Sequence, residues 1–156
     1  MHVNPARLTR PLPSEADTLA LGAALGPLLR PGMTVHLRGE LGAGKTTLAR
    51  GILQGLGHRG RVKSPTFALV EVYEISKLYL YHFDFYRFED HPDIASTGFR
   101  DYFAPDTICL VEWPEHVSGL PEADLQIDMH VTDSGRTAEL QSNTEVGRLC
   151  LSGLMQ

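Results

Sequence analysis

Cysteine is scarce in this chain, and long apolar segments are absent. The 156 residues include two cysteines, Cys109 and Cys150, and no C-x-x-C pair. Cys109 lies within an apolar segment, so we expect both cysteines to be reduced thiols that pack as small hydrophobic side chains. No run reaches the roughly 18 apolar residues that a membrane-spanning helix needs. The sequence therefore predicts neither a disulfide scaffold nor a role in a membrane.

Positive charge is also in deficit. The chain has 14 lysine and arginine residues against 19 aspartate and glutamate residues, which gives a net charge of −5. Sequence-independent binding of nucleic acid needs a basic surface, so this balance argues against that function. Residues 58–63 are a local exception, because Arg59, Arg61 and Lys63 lie there in a glycine-containing loop. This loop is either a solvated surface or a contact for a polyanion or a partner.

A secretory signal is missing as well. Residues 1–10 contain two arginines but neither an apolar core nor a cleavage site of small residues, so we expect a cytoplasmic protein. A length of 156 residues is enough for one full hydrophobic core and too short for two ordinary domains. We therefore expect residues 1–156 to form a single domain.

The most informative feature that is present is a complete phosphate-binding motif, G-x-x-x-x-G-K-T, at residues 39–46. It follows a short apolar segment and precedes an amphipathic one, an order that a chance glycine-rich turn would not require. Glycines let the backbone turn so that consecutive N–H groups point at phosphate oxygens. Lys45 would contact the β and γ phosphates, Thr46 would bind Mg2+, and Thr47 would reach the α phosphate. The nucleotide-binding residues predicted in this segment are Gly42, Ala43, Gly44, Lys45, Thr46 and Thr47.

Hydrophobic periodicity and turn residues predict alternating helices and strands along the chain. We expect helices over residues 14–30, 45–57, 92–103 and 144–151, and strands over residues 34–37, 67–73, 78–83, 108–111, 125–131 and 137–141. The strands at 67–73 and 78–83 are close enough in sequence to form an antiparallel hairpin. The segment 108–111 has four apolar residues without alternation, which is typical of a central strand buried on both faces.

Two acidic residues follow apolar strands and are candidates for the chemistry of phosphoryl transfer. Glu112 ends the predicted central strand, as in a Walker B segment, and would bind Mg2+ together with Thr46. Asp84 ends the strand 78–83 in the same way and is a candidate catalytic acid. For both carboxylates the alternative is a solvated strand end or a helix cap. A transition-metal site at Asp84 and His82 is set aside, because two ligands are too few.

Thr66 and Trp113 are two further residues to which the sequence gives a candidate role. Thr66 follows Ser64-Pro65 and is either a sensor of the γ phosphate or an ordinary residue at the start of a strand. Trp113 follows Glu112 and is expected to contribute packing and to report nucleotide binding by its fluorescence. The guanine-reading motif N-K-x-D and the switch motif D-x-x-G are both absent, which favours ATP over GTP.

Several segments together make the chain resemble a known family. They are L-G-A-G-K-T-T at residues 41–47, K-S-P-T at 63–66, Y-H-F-D-F-Y-R at 81–87, G-F-R-D-Y-F at 98–103 and L-V-E-W-P-E at 110–115. In this combination the chain resembles the bacterial TsaE family, small ATPases of tRNA threonylcarbamoyladenosine biosynthesis. The resemblance extends from about residue 14 to residue 136. One difference is the segment 94–97, where the family usually has an acid close to the glycine that here is Gly98.

The resemblance implies a fold, a set of cofactors and partners. The fold would be α/β, a P-loop NTPase-like three-layer structure with a mixed central sheet, and the cofactors ATP and Mg2+. The partners would be the TsaD-type and TsaB-type subunits of the threonylcarbamoyl transferase complex, with tRNA contacted through them at adenosine 37. By resemblance the chain would not transfer the threonylcarbamoyl group; its hydrolysis of ATP would reset the complex.

The resemblance also assigns residues. Lys45, Thr66, Asp84 and Glu112 would be catalytic, and Thr46 and Glu112 would bind the metal. Glu15, Trp113, Glu115 and Arg136 would contact the nucleotide, with Glu15 and Arg136 at its periphery.

Two other functions stay open from the residues alone. A small P-loop kinase that phosphorylates a small molecule has a similar size and loop, although it needs an acceptor pocket and an arginine-rich lid, for which Arg87 and Arg100 are the candidates between the two acids. A nucleotide-binding protein without turnover is the third possibility. Release of ADP that depends on the partners, with no phosphorylated acceptor, would separate the three.

Overall fold

The computed structural model describes residues 6–156; residues 1–5, part of the segment examined for a secretory signal, lie outside the described residues. In this described range, seven strands form one mixed sheet in the order β1-β7-β6-β2-β5-β4-β3. The strands are β1 Arg7–Leu12, β2 Thr34–Arg38, β3 Val70–Ile75, β4 Leu78–Asp84, β5 Thr107–Glu112, β6 Leu125–Thr132 and β7 Gly135–Ser142. The helices are α1 Glu15–Leu25, α2 Lys45–Gly55, α3 Ile94–Thr97 and α4 Glu145–Leu154.

The centre of the sheet is parallel and its margins are antiparallel. Strand β2 runs parallel to both β5 and β6, and β4 runs parallel to β5. The hairpin of β3 and β4 is antiparallel, as the sequence predicts, and so are the pairs β6–β7 and β1–β7. Every residue of β5 is buried, which confirms the expected central strand. Since the carboxyl ends of β2, β4 and β5 meet at one edge, the residues that follow these strands converge there.

The two faces of the sheet have different cores. Helices α1, α2 and α4 cover one face, where an aliphatic cluster includes Leu25, Leu48 and Leu151. On the other face an aromatic cluster around Phe83 and Phe85 lies under α3 and the short 3-10 turns at Arg100–Tyr102 and Pro114–His116. The predicted α/β fold with a mixed sheet is confirmed, although the third layer consists of short turns and not of long helices.

Helices α1 and α2 approach each other through glycines spaced four residues apart. A Cβ placed on Gly51 of α2 would lie 2.5 Å from the carbonyl oxygen of Leu19, and one on Gly22 of α1 would lie 2.6 Å from that of Leu48. Gly26 and Gly55 continue the same contact. The two backbones therefore touch directly, which fixes α2, and with it the loop that precedes α2, against the rest of the molecule.

The structure corrects three expectations about the elements. The helix expected over residues 92–103 is broken, because Gly98 has a left-handed φ of 86° between α3 and the turn at Arg100–Tyr102. The strand expected from residue 67 begins only at Val70, after a turn in which Leu69 has a φ of 68°. Strand β1, with Pro11 in it, was not expected; it lies at the edge of the sheet, where a missing N–H is tolerated.

The two cysteines are free and buried on opposite faces of the sheet. Burial raises the pKa of Cys109 to about 12 and that of Cys150 to about 11. Both therefore remain protonated thiols at neutral pH and pack as apolar groups. Within residues 6–156, none of the helices has the length and apolar character needed to cross a membrane.

Candidate functional site

The glycine-rich loop at residues 39–46 leaves the end of β2 and leads directly into α2. Its glycines at 39, 42 and 44 have φ values of 147°, 79° and 101°, a region that favours glycine. A Cβ on Gly39 would also lie 2.5 Å from the carbonyl oxygen of Met129. At Gly42 a Cβ would meet no atom of residues 6–156 within 4 Å, so this part of the loop is open in the described structure. The motif therefore forms the open turn at a helix N-terminus that anion binding requires.

Lys45 is the first residue of α2, and its ammonium group lies over the loop. Nζ donates hydrogen bonds to the carbonyl oxygens of Gly39 and Glu40 and lies 3.8 Å from the centroid of the Trp113 ring. Trp113 has a φ of 56°, a left-handed conformation uncommon for a bulky residue, which turns its ring toward this ammonium. Burial lowers the pKa of Lys45, while Glu112, Glu115 and Asp84 oppose that shift. A desolvated cation is thus held where the loop is open.

Glu112 ends β5 and is 2% exposed. The hydroxyl of Thr46 lies 3.2 Å from Oε1 and 3.0 Å from Oε2 of this carboxylate, and it donates to them. Nε2 of His82 lies 2.6 Å from Oε2. The carboxylate is therefore fixed by two donors, one from the loop and one from β4.

Asp84 ends β4 and lies beside Glu112 in the parallel register. Its Oδ1 accepts from the backbone N–H of Tyr86 at 2.9 Å, and its Oδ2 accepts from the Thr66 hydroxyl at 3.2 Å. Burial raises the pKa of Asp84, and the N–H of Tyr86 partly offsets that shift. Thr66 in turn lies 2.8 Å from the hydroxyl of Ser64. Asp84 is thus linked through Thr66 to the loop that follows α2.

One cavity of about 260 Å3 brings most of the predicted residues together. Its lining includes Gly42, Ala43, Gly44, Lys45, Thr46, Thr47, Thr66, Asp84, Glu112 and Trp113. These residues come from four separate segments of the sequence. The cavity combines a cation, hydroxyl groups and two buried carboxylates on the face of the open loop, which suits a polyphosphate with a divalent cation.

Glu15 and Arg136 lie in a second cavity, of about 190 Å3, on the other side of the loop. Arg136 donates to the carbonyl oxygen of Gly42 at 2.9 Å, and Glu15 forms an exposed ion pair of 3.5 Å with Arg50. Thr47 lines both cavities. Glu115 is in neither of them; it is exposed and lines a third cavity with Trp113, Glu40 and Asp128. Glu15 and Arg136, the two residues expected at the nucleotide's periphery, therefore lie on one side of the loop and Glu115 on another.

His82 is a site residue for which sequence reasoning found no role. It is fully buried, and its ring contacts Glu112 directly. The signal was present, because His82 and Asp84 are two residues apart on a strand and so share one face of the sheet. What the sequence could not supply was the neighbouring strand, since the pairing of β4 with β5 brings the histidine to Glu112.

Comparison with known proteins now identifies the family. Residues 12–139 match the family model described as threonylcarbamoyl adenosine biosynthesis protein TsaE. The chain belongs to the TsaE family. Proteins of the TsaE family are involved in tRNA threonylcarbamoyladenosine biosynthesis.

Individual TsaE relatives agree with this assignment. The tRNA threonylcarbamoyladenosine biosynthesis protein TsaE of Haemophilus influenzae is 45% identical, over 93% of this chain and 96% of that protein. The protein of the same name from Bacillus subtilis is 40% identical, over 71% of this chain and 70% of that protein. The crystal structure of Bacillus subtilis YdiB matches with a TM-score of 0.78 and 27% identity, covering 99% of this chain and 97% of that one. The P-loop NTPase-type fold expected from the sequence is thereby confirmed for this TsaE-family chain.

Proposed function

We propose that this TsaE-family protein is a Mg2+-dependent ATPase that hydrolyses ATP to ADP and phosphate and drives turnover of the tRNA threonylcarbamoyladenosine complex. Its partners would be the TsaD-type and TsaB-type subunits, which would hold the tRNA, and it would act in the cytoplasm as a single domain. The observation that carries the proposal is the cavity in which Lys45, Thr46, Asp84 and Glu112 meet the open glycine loop.

The loop and Lys45 would bind the phosphates of ATP. The first N–H groups of α2 have no partner within the helix, so they can donate to phosphate oxygens. The Lys45 ammonium donates to the carbonyl oxygens of Gly39 and Glu40. Phosphate oxygens would compete with these carbonyls for the ammonium N–H groups, and their negative charge would favour them. Because this ammonium is desolvated, its attraction to an anion is stronger than that of a surface lysine.

The oxygen donors Thr46 and Glu112 fit a magnesium ion. Mg2+ prefers oxygen ligands and is usually bound by one or two protein groups together with substrate phosphates. When bound, it would neutralise charge on the β and γ phosphates as the terminal bond breaks. The Thr46 hydroxyl would turn from the Glu112 carboxylate toward the metal, and Glu112 would hold the negative charge beside it.

Asp84 and Thr66 would act on the water side of the reaction. The Tyr86 N–H fixes one oxygen of Asp84, so the second oxygen is the one that can orient an attacking water. That second oxygen now accepts from Thr66, which lies in the loop after α2. Exchange of this contact for the γ phosphate would move the loop and pass the nucleotide state to the partners.

The adenosine would lie in the cavity between α1 and the turn after β6. Glu15, Thr47 and Arg136 line that space, directly beside Gly42 and Gly44. Trp113 and Glu115 would approach the nucleotide from the opposite side. The absence of guanine-reading motifs from the sequence supports ATP as the nucleotide.

The test has a binding part and a turnover part. Calorimetry and the fluorescence of Trp113, the single tryptophan, should both respond to Mg·ATP. ADP release should then rise when the transferase subunits and tRNA are added, with no phosphorylated acceptor. A flat calorimetric trace together with unchanged fluorescence would contradict nucleotide binding, and a phosphorylated small molecule would indicate a kinase.

A further inference from the structure

We propose that His82 is a positioning residue that holds the Glu112 carboxylate in the orientation needed for the metal. This inference rests on the proposed function, because it concerns the Mg2+ site. Its core is one contact, the 2.6 Å distance between Nε2 of His82 and Oε2 of Glu112. Since a carboxylate oxygen accepts, the ring nitrogen is the donor.

The sheet places the two residues together. Strand β4 pairs in parallel with β5, so that Asp84 lies beside Glu112 and His82 beside Leu110. His82 and Asp84 therefore extend from the same face of β4, and the longer histidine side chain reaches the end of the neighbouring strand. His82 is 0% exposed and Glu112 2% exposed, so no solvent competes for the bond.

The second ring nitrogen of His82, Nδ1, indicates why a histidine occupies this position. Nδ1 of His82 is buried and has no hydrogen-bond partner among the described residues. A buried polar atom without a partner costs stability, and an apolar side chain of similar size would avoid that cost. Within the described part of the chain, the one hydrogen bond made by the ring is thus the bond to Glu112, which gives the imidazole a reason to occupy an apolar site.

The contact has a direct consequence for metal binding. His82 holds Oε2, while the Thr46 hydroxyl bridges both oxygens from the loop side. With His82 in place, the plane of the carboxylate stays fixed when Thr46 turns to the metal. Without it, the Thr46 hydroxyl is the remaining donor to the carboxylate among residues 6–156, and the carboxylate would lose that contact too when Thr46 turns to the metal. Groups that orient metal ligands in this way typically change metal affinity about 10- to 100-fold.

The experiment compares Mg2+ dependence in four variants and the parent. His82→Leu removes the donor. His82→Gln places an amide nitrogen at the position of Nε2, whereas His82→Asn ends one bond short of it. His36→Leu is the matched control, because His36 is a partly buried histidine of β2, on the other side of β5, whose Nε2 has no hydrogen-bond partner among residues 6–156, Glu112 included.

Two titrations of Trp113 fluorescence are measured for each protein, one with ATP in EDTA and one with Mg2+ at fixed ATP. We expect the Mg2+ concentration for half-saturation to rise about 10- to 100-fold in His82→Leu and His82→Asn. It should stay within about threefold of the parent in His82→Gln and in His36→Leu. ATP affinity in EDTA should be the same in all of them, which a general structural defect would not allow.

Several results would overturn the inference. They are a parent-like Mg2+ dependence in His82→Leu, a His82→Gln variant as impaired as His82→Asn, and an equal loss of ATP affinity with and without Mg2+. If His82→Leu is unfolded at the assay temperature, the pair His82→Gln and His82→Asn decides alone. A parent that binds Mg·ATP while no variant differs contradicts only the role of His82, whereas a parent that does not bind contradicts the proposed function as well.

Discussion

Lys45 is the cation that lines the cavity beside the glycine loop, and the first prediction concerns its charge. We expect Lys45→Ala to lower ATP affinity by at least about 100-fold, because a charge-assisted contact in a desolvated site is lost together with its neutralisation of the β and γ phosphates. Calorimetry measures the change. The matched control is Lys77→Ala, which removes the same charge from the exposed turn between β3 and β4. Equal affinity in the two variants would contradict the role of Lys45.

Glu112 is predicted to separate binding from hydrolysis. In Glu112→Ala the loop and Lys45 remain, so we expect part of the ATP affinity to persist. Hydrolysis measured with the transferase subunits and tRNA should fall on the order of 100-fold or more, because the carboxylate that we propose as a Mg2+ ligand is gone. Glu74→Ala, an exposed glutamate on β3, is the control for loss of negative charge. Turnover at the parent rate in Glu112→Ala would remove this carboxylate from the mechanism.

Residues with a strong local signature could be placed from the sequence, and residues defined by a neighbour could not. The glycine loop and the acids after apolar strands were predicted because each depends on a few consecutive residues. The geometry now places Thr66, Asp84 and Glu112 in one cavity, while their catalytic roles remain predictions. His82 was missed because its partner lies 30 residues further along the chain, and only the strand pairing joins them.

At the scale of elements, the contact between α1 and α2 allows a paired test of glycine. Gly51→Ala would place a Cβ 2.5 Å from the backbone oxygen of Leu19, which cannot move without displacing α1. Alanine favours the helix by about 1 kcal/mol, but overpacking of this kind costs about 1–3 kcal/mol and occasionally more, so we expect a net loss of stability. Urea unfolding measures it.

Gly153→Ala is the matched control within α4. There the new Cβ would meet the end of the flexible Leu28 side chain, at 2.8 Å, which can rotate away. We therefore expect Gly153→Ala to be neutral or slightly stabilising. The outcome that would contradict close backbone packing of α1 on α2 is an equal effect of the two substitutions on the free energy of unfolding.

The elements that the sequence mispredicted share a physical cause. We expected a helix over residues 92–103, but the left-handed conformation of Gly98 ends α3. The side chains of Phe99 and Tyr102 after it pack against the aromatic cluster. Strand β1 contains Pro11, which counts against a strand anywhere except at an edge. In both cases tertiary packing determines which secondary structure forms, and the propensities of the residues do not show which packing partner is available.

At the scale of the whole molecule, strand order is what the sequence left open. Local patterns predict an α/β protein and a buried central strand, but not that β2 lies between β6 and β5. That order brings the ends of β2, β4 and β5, which are distant in sequence, to one edge of the sheet. The site is therefore a property of the topology, and the motifs alone describe only its parts.

His36 lies on the central strand β2, and its environment there predicts how the stability of the whole molecule depends on pH. Burial, and then the charge of Arg38, lower the pKa of His36 from its ordinary value of 6.5 to about 4. Below pH 6.5 the unfolded chain takes up a proton at this residue that the folded chain does not accept until about pH 4. The contribution of the neutral His36 to the free energy of unfolding is thus fully present above pH 6.5. It is lost as the pH falls toward 4, and the free energy of unfolding then decreases by about 3 kcal/mol at most.

Urea unfolding at pH 7.5 and pH 4.5 tests this linkage. The parent loses stability between the two conditions through all of its titrating groups, so the difference between parent and variant isolates His36. We expect the loss to be smaller in both His36→Leu and His36→Gln, by about 1–3 kcal/mol, because neither side chain takes up a proton in the unfolded state. If His36→Leu and His36→Gln show the same loss of stability, the polarity of the new side chain does not explain it. If the parent shows the same pH dependence as both variants, His36 protonates equally in the folded and unfolded chains, which contradicts the prediction.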